Sequence, residues 1–183
     1  VDQPEVGTGN LQRLLEEPSY ADFEMRVNEA SGTSIKIPIH RSIFAASSPV
    51  FAAMFELDMA EKKNGFVNME GFSVESLRGL RAFLYTGKLE FGTCLEEYLE
   101  LAERYDIKEL KKVAGKELFD GLFKTNLFET AILADKYRFP DVMEACQSLI
   151  KDDKGQLAVP KPEWDEFKKA NPAVALSLSD PWP

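Results

Sequence analysis

Histidine and cysteine are almost missing from this chain. It holds one histidine, His40, and two cysteines, Cys94 and Cys146. One imidazole cannot build a histidine-rich metal site, and neither thiol has a neighbour at ligand spacing, so no metal and no other cofactor is expected. Two cysteines this far apart are no disulfide framework either, which reads as a reducing compartment, the nucleus or the cytoplasm. Long apolar runs are missing too: none reaches the roughly 18 residues of a membrane span. The start carries no signal-peptide pattern. Basic clusters stop at pairs (Lys62-Lys63, Lys111-Lys112, Lys168-Lys169), and 22 Lys+Arg face 31 Asp+Glu for a net charge of -9. An acidic surface repels phosphate backbones and anionic lipid, so neither nucleic acid nor membrane is an expected partner. The chain opens on Val1 with no Met, and we expect it to be a piece of a longer protein.

Catalytic patterns are also missing. Gly7-Thr8-Gly9 has no strand before it and is no phosphate loop. Ser47-Ser48 lacks the glycines of a nucleophile elbow. Acidic runs such as Glu96-Glu97 read as solvated helix faces. No catalytic residue is therefore expected, and His40 is assigned a capping or core role.

What is present is a core-sized apolar content, 44% of 183 residues. Asn10-Leu11-Gln12-Arg13-Leu14-Leu15 has helical spacing behind a capping Asn, and Pro18 ends it. The period then changes to two. Phe23, Met25 and Val27 alternate with polar residues, as do Ile35, Ile37 and Ile39, which predicts a β-hairpin with Gly32 in its turn. Pro38 belongs at a strand end or edge. Ser48-Pro49 opens a helix with Phe51, Met54 and Phe55 on one face, and residues 56–65 end it. Residues 66–69 predict a third strand. Val74, Leu77, Leu80 and Leu84 mark a helix stopped at Thr86-Gly87. From Thr93 the reading is helical throughout, with capping boxes at Thr93/Glu96 and Asn126/Glu129. Residues 152–162 read as a loop, and residues 164–178 as a final amphipathic piece. Strands early and helices late predict an α+β fold.

The stretch His40-Arg41-Ser42-Ile43-Phe44-Ala45-Ala46-Ser47-Ser48-Pro49-Val50-Phe51 resembles the hallmark of BTB/POZ domains. Asp22-Phe23, Met54-Phe55-Glu56, Phe83-Leu84-Tyr85-Thr86-Gly87 and the run from Glu103-Arg104-Tyr105 to Glu109-Leu110 continue the resemblance in order. Ile132-Leu133-Ala134-Asp135-Lys136-Tyr137, Trp164 and Asn171-Pro172 are similar to the region after the BTB domain in speckle-type POZ proteins. The resemblance implies a BTB/POZ fold, a small sheet capped by helices, at residues 10–121 after a tail at 1–9. A 3-box-like helical extension is expected at 122–151, and a loop with a partial BACK-like segment at 152–183.

It further implies a homodimeric adaptor, not an enzyme, that binds the N-terminal region of a cullin-3-type scaffold in a RING-type ubiquitin ligase. Substrate would be captured by a domain absent from this chain, a MATH domain in the speckle-type family. The family's cullin motif, an apolar residue, any residue, then Glu, falls on Met59-Ala60-Glu61. Phe55, Asp58, Tyr105 and Asp106 would complete that surface, and Leu11, Leu14 and Ile43 would form the dimer interface. A methionine offers a flexible apolar anchor, and a glutamate can accept hydrogen bonds from N–H groups at a partner helix end. Two other readings stand beside this one: a BTB scaffold that recruits transcriptional corepressors, and a purely self-assembling module.

Overall fold

The computed structural model describes residues 8–28, 33–57, 60–92, 94–150 and 159–178. Its packing divides into two units, Val1–Lys111 and Lys112–Pro183.

The first unit begins with α1 (Thr8–Glu16), which starts two residues ahead of the expected Asn10 cap. β1 (Phe23–Asn28) and β2 (Ser34–Ile39) then pair antiparallel, with Phe23 opposite Ile39 and Val27 opposite Ile35. The expected Gly32 turn lies outside the described residues. β3 (Phe66–Asn68) adds parallel to β1, giving the order β2-β1-β3. Alternation decides the two faces: Phe23, Met25 and Val27 are buried, while Glu24 and Arg26 face outward. The Arg26 guanidinium covers the Phe66 ring at 3.6 Å and pairs with Glu24 at 2.7 Å. Pro38, which has no N–H to give, sits on the edge strand.

Helices cover the sheet: α2 (Arg41–Ser47), α3 (Pro49–Glu56), α4 (Ala60–Asn64), α5 (Val74–Thr86) and α6 (Leu95–Arg104). Ser48 caps α3 as its position next to Pro49 predicts, accepting the Phe51 N–H at 3.0 Å. Gly87 ends α5 with φ 71, in the left-handed region where glycine carries no side-chain penalty. Residues 56–65 do more than end a helix. Within them lies α4, and Lys62 Nζ reaches back to the Glu56 carbonyl at 2.8 Å, tying off the end of α3. Cys94 stands at the start of α6 without a side-chain cap, and Thr93 lies outside the described residues. Phe44, Phe51, Met25, Ile39, Leu77, Leu80 and Leu101 are fully enclosed, each worth about 1.5–3 kcal/mol of burial.

α7 (Lys108–Asp120) follows Ile107. The second unit contains α8 (Leu127–Tyr137), α9 (Pro140–Ile150), α10 (Lys161–Ala170) and α11 (Pro172–Ser177). The expected Asn126 cap of α8 is turned backward: its Oδ1 accepts the Phe123 N–H at 2.7 Å and its Nδ2 donates to the Gly121 carbonyl at 2.8 Å. Asn126 thus closes the preceding 3-10 turn. Pro140 is the first residue of α9, where its missing N–H costs nothing. The amphipathic stretch after residue 160 is two helices, because Pro172 restarts the chain after Asn171. Trp164 is buried against Phe128 and Phe167, whose rings stack at 4.2 Å.

Candidate functional site

An aromatic ladder runs from β1 across α3 to the end of α6. The Phe23 and Phe55 rings meet edge-on at 4.8 Å, Phe51 stacks on Phe55 at 5.9 Å, and Tyr105 lies flat on Phe51 at 4.5 Å. The helical spacing of Phe51 and Phe55 puts both on the inner face of α3. Tyr105 caps the end of α6. Its hydroxyl donates to Met69 Sδ at 3.2 Å, and its carbonyl accepts Ser48 Oγ at 2.5 Å. Ser48 therefore acts twice, capping α3 and fastening the corner between α6 and α7. Burial pushes the Tyr105 phenol up; the Arg104 charge opposes this and the nearby Glu61 carboxylate adds to it.

Phe55 and Tyr105 are thus buried supports in the free chain, while other assigned residues are accessible. Glu61 is half-buried in the first turn of α4, where a carboxylate suits the positive end of the helix. Asp106 is exposed at the α6–α7 corner with φ 48, a left-handed conformation that aspartate tolerates better than most residues. Asp58 and Met59 lie outside the described residues. Leu57, which follows α3 directly, leaves 56% of its surface exposed. Sequence reasoning passed over Leu57; the signal was an apolar residue at the end of a helix whose inner face was already filled by Phe51 and Phe55.

The assigned dimer residues are accessible in part. Leu11 is exposed on α1, and Leu14 and Ile43 are half-buried. His40, the lone histidine, is buried, with Nδ1 2.6 Å from Tyr85 Oη and Nε2 2.9 Å from the Ser19 carbonyl oxygen. The core role expected for it holds. Beside it, Arg41 engages Asp22 through its backbone N–H and its Nε, each at 2.9 Å. Sequence inspection also missed a groove of about 650 Å³ in the same unit, lined by Ala45, Ser47, Pro49, Leu84, Asp106 and Lys108. It is open, with apolar and charged residues both in its lining.

Among the described residues, no group of three or more His, Cys, Asp or Glu is arranged to hold a metal ion. Cys94 and Cys146 are buried free thiols, and burial pushes the Cys146 thiol up to about 11. Among the described residues no helix is long and apolar enough to cross a membrane.

A family model described as BTB/POZ domain matches residues 11–122. Three curated proteins of Arabidopsis thaliana, each named BTB/POZ domain-containing protein, are similar to the chain. One is 28% identical over 177 residues, covering 94% of this chain and 69% of the relative. Two others are 30% identical over 140 and 144 residues, covering 75% and 78% of this chain. The chain spans only 41% and 43% of the length of those two. Among solved structures, the BTB domain of zebrafish PATZ1 aligns with TM-score 0.52 at 19% identity, over 67% of this chain and 98% of that one, a likeness of fold. The BTB domain of human gigaxonin aligns with TM-score 0.49 at 19% identity, over 62% of this chain and 92% of that one.

Proposed function

The chain belongs to the BTB/POZ family, and from that premise we propose that it is a homodimeric adaptor that binds the N-terminal region of a cullin-3-type scaffold and so serves a RING-type ubiquitin ligase. Domains of this family are protein–protein interaction modules, generally non-catalytic, and commonly pair as homodimers. The observation that carries the reading is the arrangement around the end of α3. Leu57, exposed, follows Phe55 by two residues; Asp106, exposed, follows Tyr105; and the half-buried Glu61 acts on the Tyr105 phenol, while Phe51, Phe55 and Tyr105 form a buried stack. An apolar anchor with a carboxylate beside it, on a preorganised support, fits a helical partner presenting an apolar pocket and free N–H groups. Met59 and Glu61 are the proposed principal contacts, with Phe55, Asp58, Tyr105 and Asp106 assisting. Substrate would reach the assembly through a domain outside these residues, and the work would be done in the nucleus or cytoplasm.

The groove beside α2 favours a second reading, in which a corepressor peptide is the partner. Calorimetry against a cullin-3 N-terminal fragment separates the two. Wild type should bind, and a Met59→Ala, Glu61→Ala double variant should lose about 2 kcal/mol or more, roughly 30-fold in affinity, with an unchanged melt. Equal affinities would remove the site assignment. No binding by the wild type would remove the adaptor reading in favour of the corepressor scaffold or a purely self-assembling module.

A further inference from the structure

The last turn of α1 and the link that joins it to β1 are each gripped at one backbone carbonyl. The Leu15 carbonyl accepts a hydrogen bond from Arg81 at 2.7 Å, and the Ser19 carbonyl lies 2.9 Å from His40 Nε2. A carbonyl can only accept, so Nε2 carries a proton and donates it to Ser19. Nδ1 shares a hydrogen bond with the Tyr85 hydroxyl at 2.6 Å, and the same oxygen accepts the His40 backbone N–H at 3.0 Å. Arg81 stands one turn before Tyr85 on α5, its guanidinium 5.6 Å from the Tyr85 ring centre. The two grips therefore meet at one tyrosine.

Two further features mark this link as held rather than relaxed. Arg81 Nε is buried without a hydrogen-bond partner, alone in this among side-chain polar atoms of the described residues. A guanidinium accepts that loss only where its remaining contacts repay it. Here they are the carbonyl at the end of α1, where the helix dipole favours a cation, and the tyrosine ring. Tyr20, within the link, has φ 66 and leaves 92% of its surface exposed. A non-glycine residue in that region is strained and persists where its neighbours hold it.

We propose that Arg81, backed by Tyr85 and His40, is a clamp that fixes α1 in the position from which Leu11 and Leu14 pair with a second copy of the chain. This rests on the homodimer reading above. A helix already fixed loses no freedom on association, and a two-fold interface draws that benefit from both copies. Arg81 is a positioning residue in this scheme: it acts on the pairing surface through the end of α1.

The test uses the full chain with Arg81→Met, which keeps the aliphatic stem and removes the donors, and with Arg81→Lys, which restores one. Sedimentation measures the dimer constant, and hydrogen exchange measures the α1 amides, with β1 and β2 amides as the control for folding. Arg81→Met should weaken the dimer about tenfold and speed α1 exchange by a similar factor while β1 and β2 stay protected. Arg81→Lys should recover most of both. Unchanged α1 exchange in Arg81→Met would overturn the clamp, and faster exchange with an unchanged dimer constant would overturn its link to pairing. A monomeric wild type would overturn the homodimer reading and with it that link, whereas the exchange comparison would still decide whether the clamp exists.

Discussion

At Glu97, burial alone would push the carboxyl upward, but hydrogen bonds from Ser76 and from the backbone and side chain of Ser73 hold it below the usual glutamate range. One oxygen, Oε2, receives the Ser73 N–H at 2.7 Å, Ser73 Oγ at 3.0 Å and Ser76 Oγ at 2.5 Å. Ser73 is also the cap of α5, so this residue of α6 reinforces the start of another helix. The unfolded chain takes up the proton more readily than the folded one. The stabilisation is therefore complete above the pKa of a free glutamate, about 4.3, and fades as the pH falls through the lower folded value. Glu97→Gln should cost about 1–2 kcal/mol at pH 7, because bonds to a charged acceptor become bonds to a neutral one. Melts at pH 7 and pH 3 check this: the gap to wild type should close at the acid value, and a constant gap would count against it.

Among the elements, α5 is shaped by what α6 places against it. Gly79 lies inside α5, where glycine costs about 1 kcal/mol relative to alanine. The Tyr98 hydroxyl of α6 occupies the space a Cβ would need. Burial, with the nearby Glu75 and Glu97 carboxylates adding to it, pushes that phenol up to about 12, so it stays protonated across the physiological range. Gly79→Ala should therefore lose about 1–3 kcal/mol from overpacking, despite alanine's better propensity. A double-mutant cycle with Tyr98→Phe checks the cause: removing the hydroxyl should recover most of the loss. Independence of the two substitutions would place the cost elsewhere.

On the scale of the whole molecule, the question is whether α1 joins two copies. Leu11 is exposed beside half-buried Leu14, and Ile43 is half-buried on α2. One substitution in a two-fold interface acts twice. Leu11→Asp should give a monomer that melts near the wild-type monomer value, since an exposed side chain contributes little to the core. Light scattering at micromolar concentration decides it, and a Leu11→Asp variant that remains dimeric would move the interface away from α1.

Patterns that act over a few residues were legible in the sequence. The alternation of Phe23, Met25 and Val27 gave the strand and its inner face. The Ser48-Pro49 pair gave a capped helix start, and Gly87 a left-handed stop, because the forces behind each span less than one turn. The ordered motifs from Asp22 to Leu110 likewise pointed to the family. What only the tertiary structure decided depends on partners distant in sequence. That Ser48 would also hold the Tyr105 carbonyl, and that Arg81 and His40 would hold the last turn of α1 and the link after it, could not be read from spacing. A hydrogen bond constrains only two atoms within about 3 Å, and in a one-dimensional sequence residues 57 or 66 positions apart carry no mark of that proximity.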